Sequence, residues 1–139
     1  MRRAFPTLLL SFGLFACAEL ATRSAKLELE NTHWTLASLG ADRTPVPKSQ
    51  TEPYLEFNAE QRRVTGSGGC NRLTCGYERQ GDEIHFGLIA STRMACEHGM
   101  ATEGALGAAL EVTSKWAIVG GALELYAADG RLLASFASH

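Results

Sequence analysis

From residue 33 to residue 136 apolar and polar positions alternate in short runs broken by glycine, proline and aspartate, the pattern of a chain made of β-strands and tight turns. His33 to Leu39, around Trp34 and Leu36, is a first strand ended by Gly40, and Pro45, Pro47 and Pro53 mark a surface loop after it. Leu55 and Phe57 alternate with Glu56 in a second strand, and Arg62 to Gly66 returns around Val64 as a third. Gly66, Gly68 and Gly69 then suit a bulge, a turn with positive φ, or a close approach of another backbone. Leu73 to Glu78 and Glu83 to Phe86 flank Gln80-Gly81-Asp82 as a hairpin. Gly120-Gly121 and Asp129-Gly130 divide the apolar runs Trp116 to Val119, Ala122 to Tyr126 and Leu132 to Phe136 into two more.

Only Met100 to Lys115 has the helical period, with Leu106, Ala109, Leu110 and Thr113 on one side. Gly104 and Gly107 inside it cost roughly 1 kcal/mol each relative to alanine, which predicts a helix lying tight against the sheet. The expected fold is α+β and predominantly antiparallel β, a curved or barrel-like sheet with one packed helix.

The front of the chain has a different pattern. Arg2 and Arg3 precede an apolar run from Leu8 to Ala16, broken only by Ser11 and Gly13 and followed by Cys17. That run is too short for a membrane span, which needs about 20 apolar residues, and reads as an export signal over residues 1–16. Leu14-Phe15-Ala16-Cys17 resembles the lipobox of bacterial lipoproteins, making Cys17 the lipidated residue and residues 17–30 a lipid-bearing tether. Ala16-Cys17-Ala18 also fits an ordinary signal-peptidase site, with cleavage after Ala18 and a soluble periplasmic product. With Cys17 acylated, Ala18 points to the periplasmic face of the outer membrane. Of the 13 basic side chains Arg2 and Arg3 leave with the signal, so 11 face 15 acidic ones in the mature chain, with no basic patch for nucleic acid.

Little in the mature chain looks armed for chemistry. Ser67 lacks the first glycine of a nucleophile elbow, and the same glycines lack the Gly-Lys-Ser/Thr ending of a phosphate loop. His33 and His85 sit on strands beside apolar residues, and His139 is the last residue. No catalytic residue and no cofactor is expected. Asn71 follows the glycine run as a residue that tolerates left-handed backbone and can bond neighbouring amides, and so fixes the turn holding Cys70. Arg93, between Thr92 and the apolar Met94, needs partners if buried, Glu103 and backbone carbonyls being the candidates, so that Arg93→Ala should lower stability; an unchanged melting temperature would make it a binding-surface residue instead.

Several segments together resemble the META domain, the family that includes the HslJ heat-shock lipoproteins. They are Asn31-Thr32-His33-Trp34-Thr35-Leu36, Gly66-Ser67-Gly68-Gly69-Cys70-Asn71-Arg72, Thr92-Arg93-Met94-Ala95-Cys96, Met100 with Glu103, Leu123-Glu124-Leu125, and Gly130 to Phe136. The resemblance covers a domain drawn at residues 31–139. It implies a small exported or lipid-anchored β-rich domain without an established enzymatic activity, associated with heat stress, antibiotic tolerance and, in some parasites, secretion and virulence. It also implies a fold similar to lipid-binding secretion pilotins. Its motif positions imply a Cys70–Cys96 disulfide, while Cys75 stands where the family pattern more often has a small residue such as serine.

Cys75 is then left as a free thiol, with an intermolecular disulfide as the alternative. On a continuous strand Cys70 and Cys75 point to opposite faces about 16 Å apart, beyond the roughly 7 Å a disulfide spans. Cys70, Cys75, Cys96 and His98 make a Cys3His set by residue type, but their spacings lack the tight knuckles of structural zinc sites, and no metal is expected. The partners expected are a membrane, through the lipid, and an unnamed protein or hydrophobic ligand. A ligand carrier would need a continuous apolar cavity lined by residues such as Trp34, Phe57, Phe86, Met94 and Trp116.

Overall fold

Period-two burial marks the earlier strands of the computed structural model, which describes residues 27–139. Cys17, the export signal and the tether up to residue 26 lie outside the described residues. In β1 (His33–Leu39) Trp34, Leu36 and Ser38 are buried; in β3 (Tyr54–Asn58) Leu55 and Phe57 are. Val64 of β4 (Arg63–Ser67), with Leu73, Cys75 and Tyr77 of β5 (Arg72–Gln80), continues the inner face. Ile84 of β6 (Glu83–Phe86), Leu123 and Leu125 of β9 (Ala122–Ala127), and Phe136 of β10 (Leu132–Ser138) complete it, with β8 (Thr113–Val119) between.

Eight of these strands close into an antiparallel barrel in the order β10-β9-β8-β6-β5-β4-β3-β1, with β10 paired back onto β1. Two short strands, β2 (Thr44–Pro45) and β7 (Ala90–Ser91), attach to β1 and β5. Register shifts in β1/β10, β9/β10 and β8/β9 supply the local twist that closure of a small barrel requires. Pairing is uneven: β8 meets β9 in a ladder of six registered pairs but meets β6 at one, Glu83 with Lys115. Two bonds from Trp116 reinforce that seam, its backbone N–H donating to Asp82 O at 2.9 Å and its Nε1 to Gly81 O at 3.0 Å.

The barrel has two distinct ends. The helix end gathers the loops at residues 40–53, 68–71 and 87–99, and α1 (Met100–Val112) lies across it with Leu106 and Leu110 in the core. The helix stops at Val112 rather than running to Lys115. Thr113 has extended backbone and starts β8, its Oγ1 donating to Ala109 O at 2.8 Å, so its burial belongs to the strand. Gly104 and Gly107 are not pressed against the sheet: a Cβ at either would meet nothing within 4 Å. Nothing in the packing of the domain explains them.

The entry end gathers the start of β1 and the turns 59–62, 81–82 and 120–121. Leu29 fills the core there at 1 % exposure, and Trp34 Nε1 donates to Leu29 O at 2.9 Å. Residues 27–30, assigned to the tether by the sequence pattern, are therefore packed as part of the domain.

Candidate functional site

The two cysteine-bearing motifs meet at the helix end. Cys70 and Cys96 form a disulfide with Cα atoms 5.8 Å apart, and Asn71 organises everything around it. The Asn71 backbone N–H donates to Glu103 Oε2 at 2.6 Å, and Nδ2 donates to Glu103 Oε1 at 2.9 Å and to Met94 O at 3.3 Å. Its Oδ1 accepts from Met94 N–H at 2.7 Å and Thr92 Oγ1 at 2.9 Å, and Thr92 Oγ1 accepts from Arg72 N–H at 3.2 Å. One buried amide thus ties the glycine run, the second cysteine loop and the first turn of α1.

The glycines permit these approaches. A Cβ on Gly68 would stand 2.4 Å from Glu103 Cγ, and one on Gly99 would stand 2.2 Å from the Gly69 carbonyl oxygen. Gly66 serves the neighbouring β3/β4 pairing, where a Cβ would stand 2.0 Å from Tyr54 O. The left-handed residue of the run is Gly69, at φ 111; Asn71 is not left-handed and holds the turn through its side-chain bonds to neighbouring backbone groups.

Arg93 corrects the sequence reading more sharply. Its side chain is exposed, and Glu103 is engaged by Asn71 rather than by Arg93. Met94, whose apolar character suggested burial, is 57 % exposed and is held through its backbone. Cys75 is a buried free thiol; burial pushes it up to about 11, partly offset by Arg63, so it is protonated at neutral pH. The Cys3His set is unavailable because Cys70 and Cys96 are bonded to each other, and among the described residues no cluster of His, Cys, Asp and Glu is placed to hold a metal.

Two polar clusters were not anticipated. At the entry end Glu30 accepts from Arg79 Nε at 2.7 Å, Arg79 Nη2 at 3.0 Å and Tyr77 OH at 3.0 Å, and the Arg79 guanidinium lies 5.4 Å from the centre of the Trp116 ring. Burial, then the hydrogen bond and charge of Glu30, push Tyr77 up to about 12. On the barrel wall Glu124 is buried under the loop of Arg43, whose Nη2 donates to it at 2.7 Å, and Tyr126 OH donates to it as well. Burial raises the Glu124 pKa, but the bonds from Tyr126 and Arg43 and the Arg43 charge outweigh it, and the net shift is downward. Glu30 is 47 residues from Tyr77 and 49 from Arg79, and Arg43 is 81 from Glu124, so no local spacing could have shown those pairs.

Open grooves flank these clusters. One of about 600 Å³ at the entry end includes Glu30, Arg62, Tyr77 and Arg79, and one of about 650 Å³ beside α1 includes Leu39, Ala105, Ala108 and Val112. The five aromatic and sulfur side chains named for a ligand cavity do not line one space: Trp34 and Phe57 are packed in the core, Phe86 and Trp116 flank it, and Met94 is outside.

The META domain family model matches residues 27–139. A protein from Burkholderia xenovorans, solved by NMR, is 26 % identical with TM-score 0.66, over 80 % of this chain and 83 % of that one. A second NMR structure, 21 % identical with TM-score 0.59 over 77 % of this chain and 89 % of that one, shares the fold. No curated protein matches the sequence.

Proposed function

We propose a function that follows from one fact: this chain belongs to the META domain family. It acts as a non-catalytic module of the cell envelope, exported, anchored to the periplasmic face of the outer membrane through acylated Cys17, and engaged in stress-associated binding or envelope maintenance. The lipobox-like Leu14-Phe15-Ala16-Cys17 supports the anchor.

The observation that carries the non-catalytic reading is how the family-motif residues are used. Asn71, Thr92 and Glu103 are spent on one another and on backbone groups, leaving no general base beside a nucleophile. Among the described residues every buried side-chain nitrogen and oxygen has a hydrogen-bond partner, so polarity inside the barrel is structural. The disulfide fits an oxidising compartment. The carrier reading has weaker support, because the proposed lining residues are divided between core and surface.

Intact mass of the protein recovered from host membranes, before and after reduction and alkylation, tests the proposal. The expected species begins at acylated Cys17, hides two thiols until reduction and has one thiol free. A chain beginning at Glu19 without lipid would overturn the anchor.

A further inference from the structure

Strand register assembles a polar groove on the outside of the barrel wall. Outward positions pair across β3, β4, β5 and β7 in rows: Tyr54, Ser67 and Arg72 in one, Glu56, Thr65, Thr74 and Ala90 in the next, and Asn58, Arg63 and Gly76 in the third. Past Glu56 the middle row carries only small side chains, and Gly76 leaves room beside it. A groove of about 510 Å³ lies there, lined in part by Tyr54, Thr65, Arg72, Thr74 and Ser91. Arg63 reaches the same row from the other side, its Nη1 donating to Thr74 Oγ1 at 3.3 Å, so Arg63 and Arg72 stand on either side of Thr74.

The charges on this face are divided. Arg63 and Arg72 are exposed and make no ion pair among the described residues. The carboxylates that share the face lie to the sides: Glu56 is 2.7 Å from His33 Nδ1, Glu52 accepts from Thr35 Oγ1 on β1, and Glu78 stands opposite His85, one row beyond Gly76. The β5 side of the groove therefore carries two guanidiniums without a counter-ion. Its β3 side carries the Tyr54 ring, stacked 4.4 Å on His33, with the Thr65 hydroxyl and Glu56 in the next row. A bare anion uses only the first side, and a neutral sugar leaves the guanidiniums uncovered. We infer that this groove binds a sugar acid, a saccharide ring bearing a carboxylate. The carboxylate lies between Arg63 and Arg72, ring hydroxyls reach Thr65 and Glu56, and the ring rests against Tyr54.

Two sources share that chemistry, a free sugar acid and an acidic residue within a glycan chain. The groove is open to solvent along exposed Thr65, Ala90 and Ser91, so a longer chain has room to continue past it. The inference does not rest on the anchor at Cys17.

Titration of the mature chain, produced without lipid, with D-glucuronate tests the inference by amide NMR at Thr65, Thr74 and Ser91. Saturable shifts are expected, with glucose and acetate each at least about tenfold weaker, because each lacks one half of the contacts. Arg72→Gln and Arg63→Gln, both at exposed positions, should each lose a similar factor at an unchanged melting temperature. Tyr54→Leu should weaken glucuronate and leave acetate as it was. No saturable shift, acetate binding as well as glucuronate, or undiminished binding in both arginine variants would overturn the inference. Once glucuronate binds, tighter binding of a uronate oligosaccharide identifies a glycan chain as the source, and equal or weaker binding identifies a free sugar acid. Because the titrated chain carries no lipid, failure here leaves the anchor at Cys17 to be judged separately by mass.

Discussion

The two ends of the barrel are closed by different physics. The helix end is closed covalently: Cys70–Cys96 pins two loops, and Asn71 ties both to Glu103 at the start of α1. The entry end is closed by a short apolar and ionic plug, with Leu29 in the core and Glu30 held by Arg79 and Tyr77. One end depends on the redox compartment, and the other depends on charge. Each therefore has its own way of failing.

The largest effect is expected at the disulfide. Cys70→Ser with Cys96→Ser should cost about 3 kcal/mol in chemical denaturation, and hydrogen exchange should accelerate around Met94 and the first turn of α1 while Tyr77 stays protected. Faster exchange at both ends alike would break the comparison. Asn71→Ala strands the Met94 N–H and removes the Nδ2 donor to Glu103 Oε1 while its backbone N–H still reaches Oε2, and should cost about 2 to 3 kcal/mol with the disulfide intact. An effect below about 0.5 kcal/mol would show that the disulfide alone holds this end.

Glu30→Gln sharpens the other side. It removes the charge that Arg79 pairs with, and because Arg79 is 38 % exposed the cost should be about 1 to 2 kcal/mol, insensitive to reductant. Glu124 gives a pH test of the wall between. Its folded pKa is depressed, so its contribution is present above the ordinary carboxylate range and is lost as pH falls through the folded value. Glu124→Gln should flatten the acid limb of a melting-temperature profile, and an unchanged limb would remove the ion pair from the account. The smallest effect belongs to Arg93→Ala, an exposed site expected to change stability by less than about 0.5 kcal/mol by calorimetry.

Strands and hairpins were legible because alternation and glycine turns are local signals. The end of α1 was not, since Thr113 satisfies the helical period as well as the start of β8. At the site, the cysteine pair followed from the family motif. Arg93 was misread because the apolar Met94 beside it implied burial, whereas Met94 is anchored by its backbone to Asn71. Glu30 with Arg79 and Arg43 with Glu124 join distant segments, and periodicity says nothing about which distant charges will meet.

The pairing of β1 with β10 also sets a schedule. Leu36 faces Phe136 across that seam, so the first strand waits for the last before the cylinder can shut. A chain delivered across a membrane from its N-terminus could pair β1 with β3 early, but would carry the β10 edge of β1 open until translocation was nearly over. In such a chain closure of the cylinder would fall on the far side, where an oxidising compartment would also let Cys70 and Cys96 join.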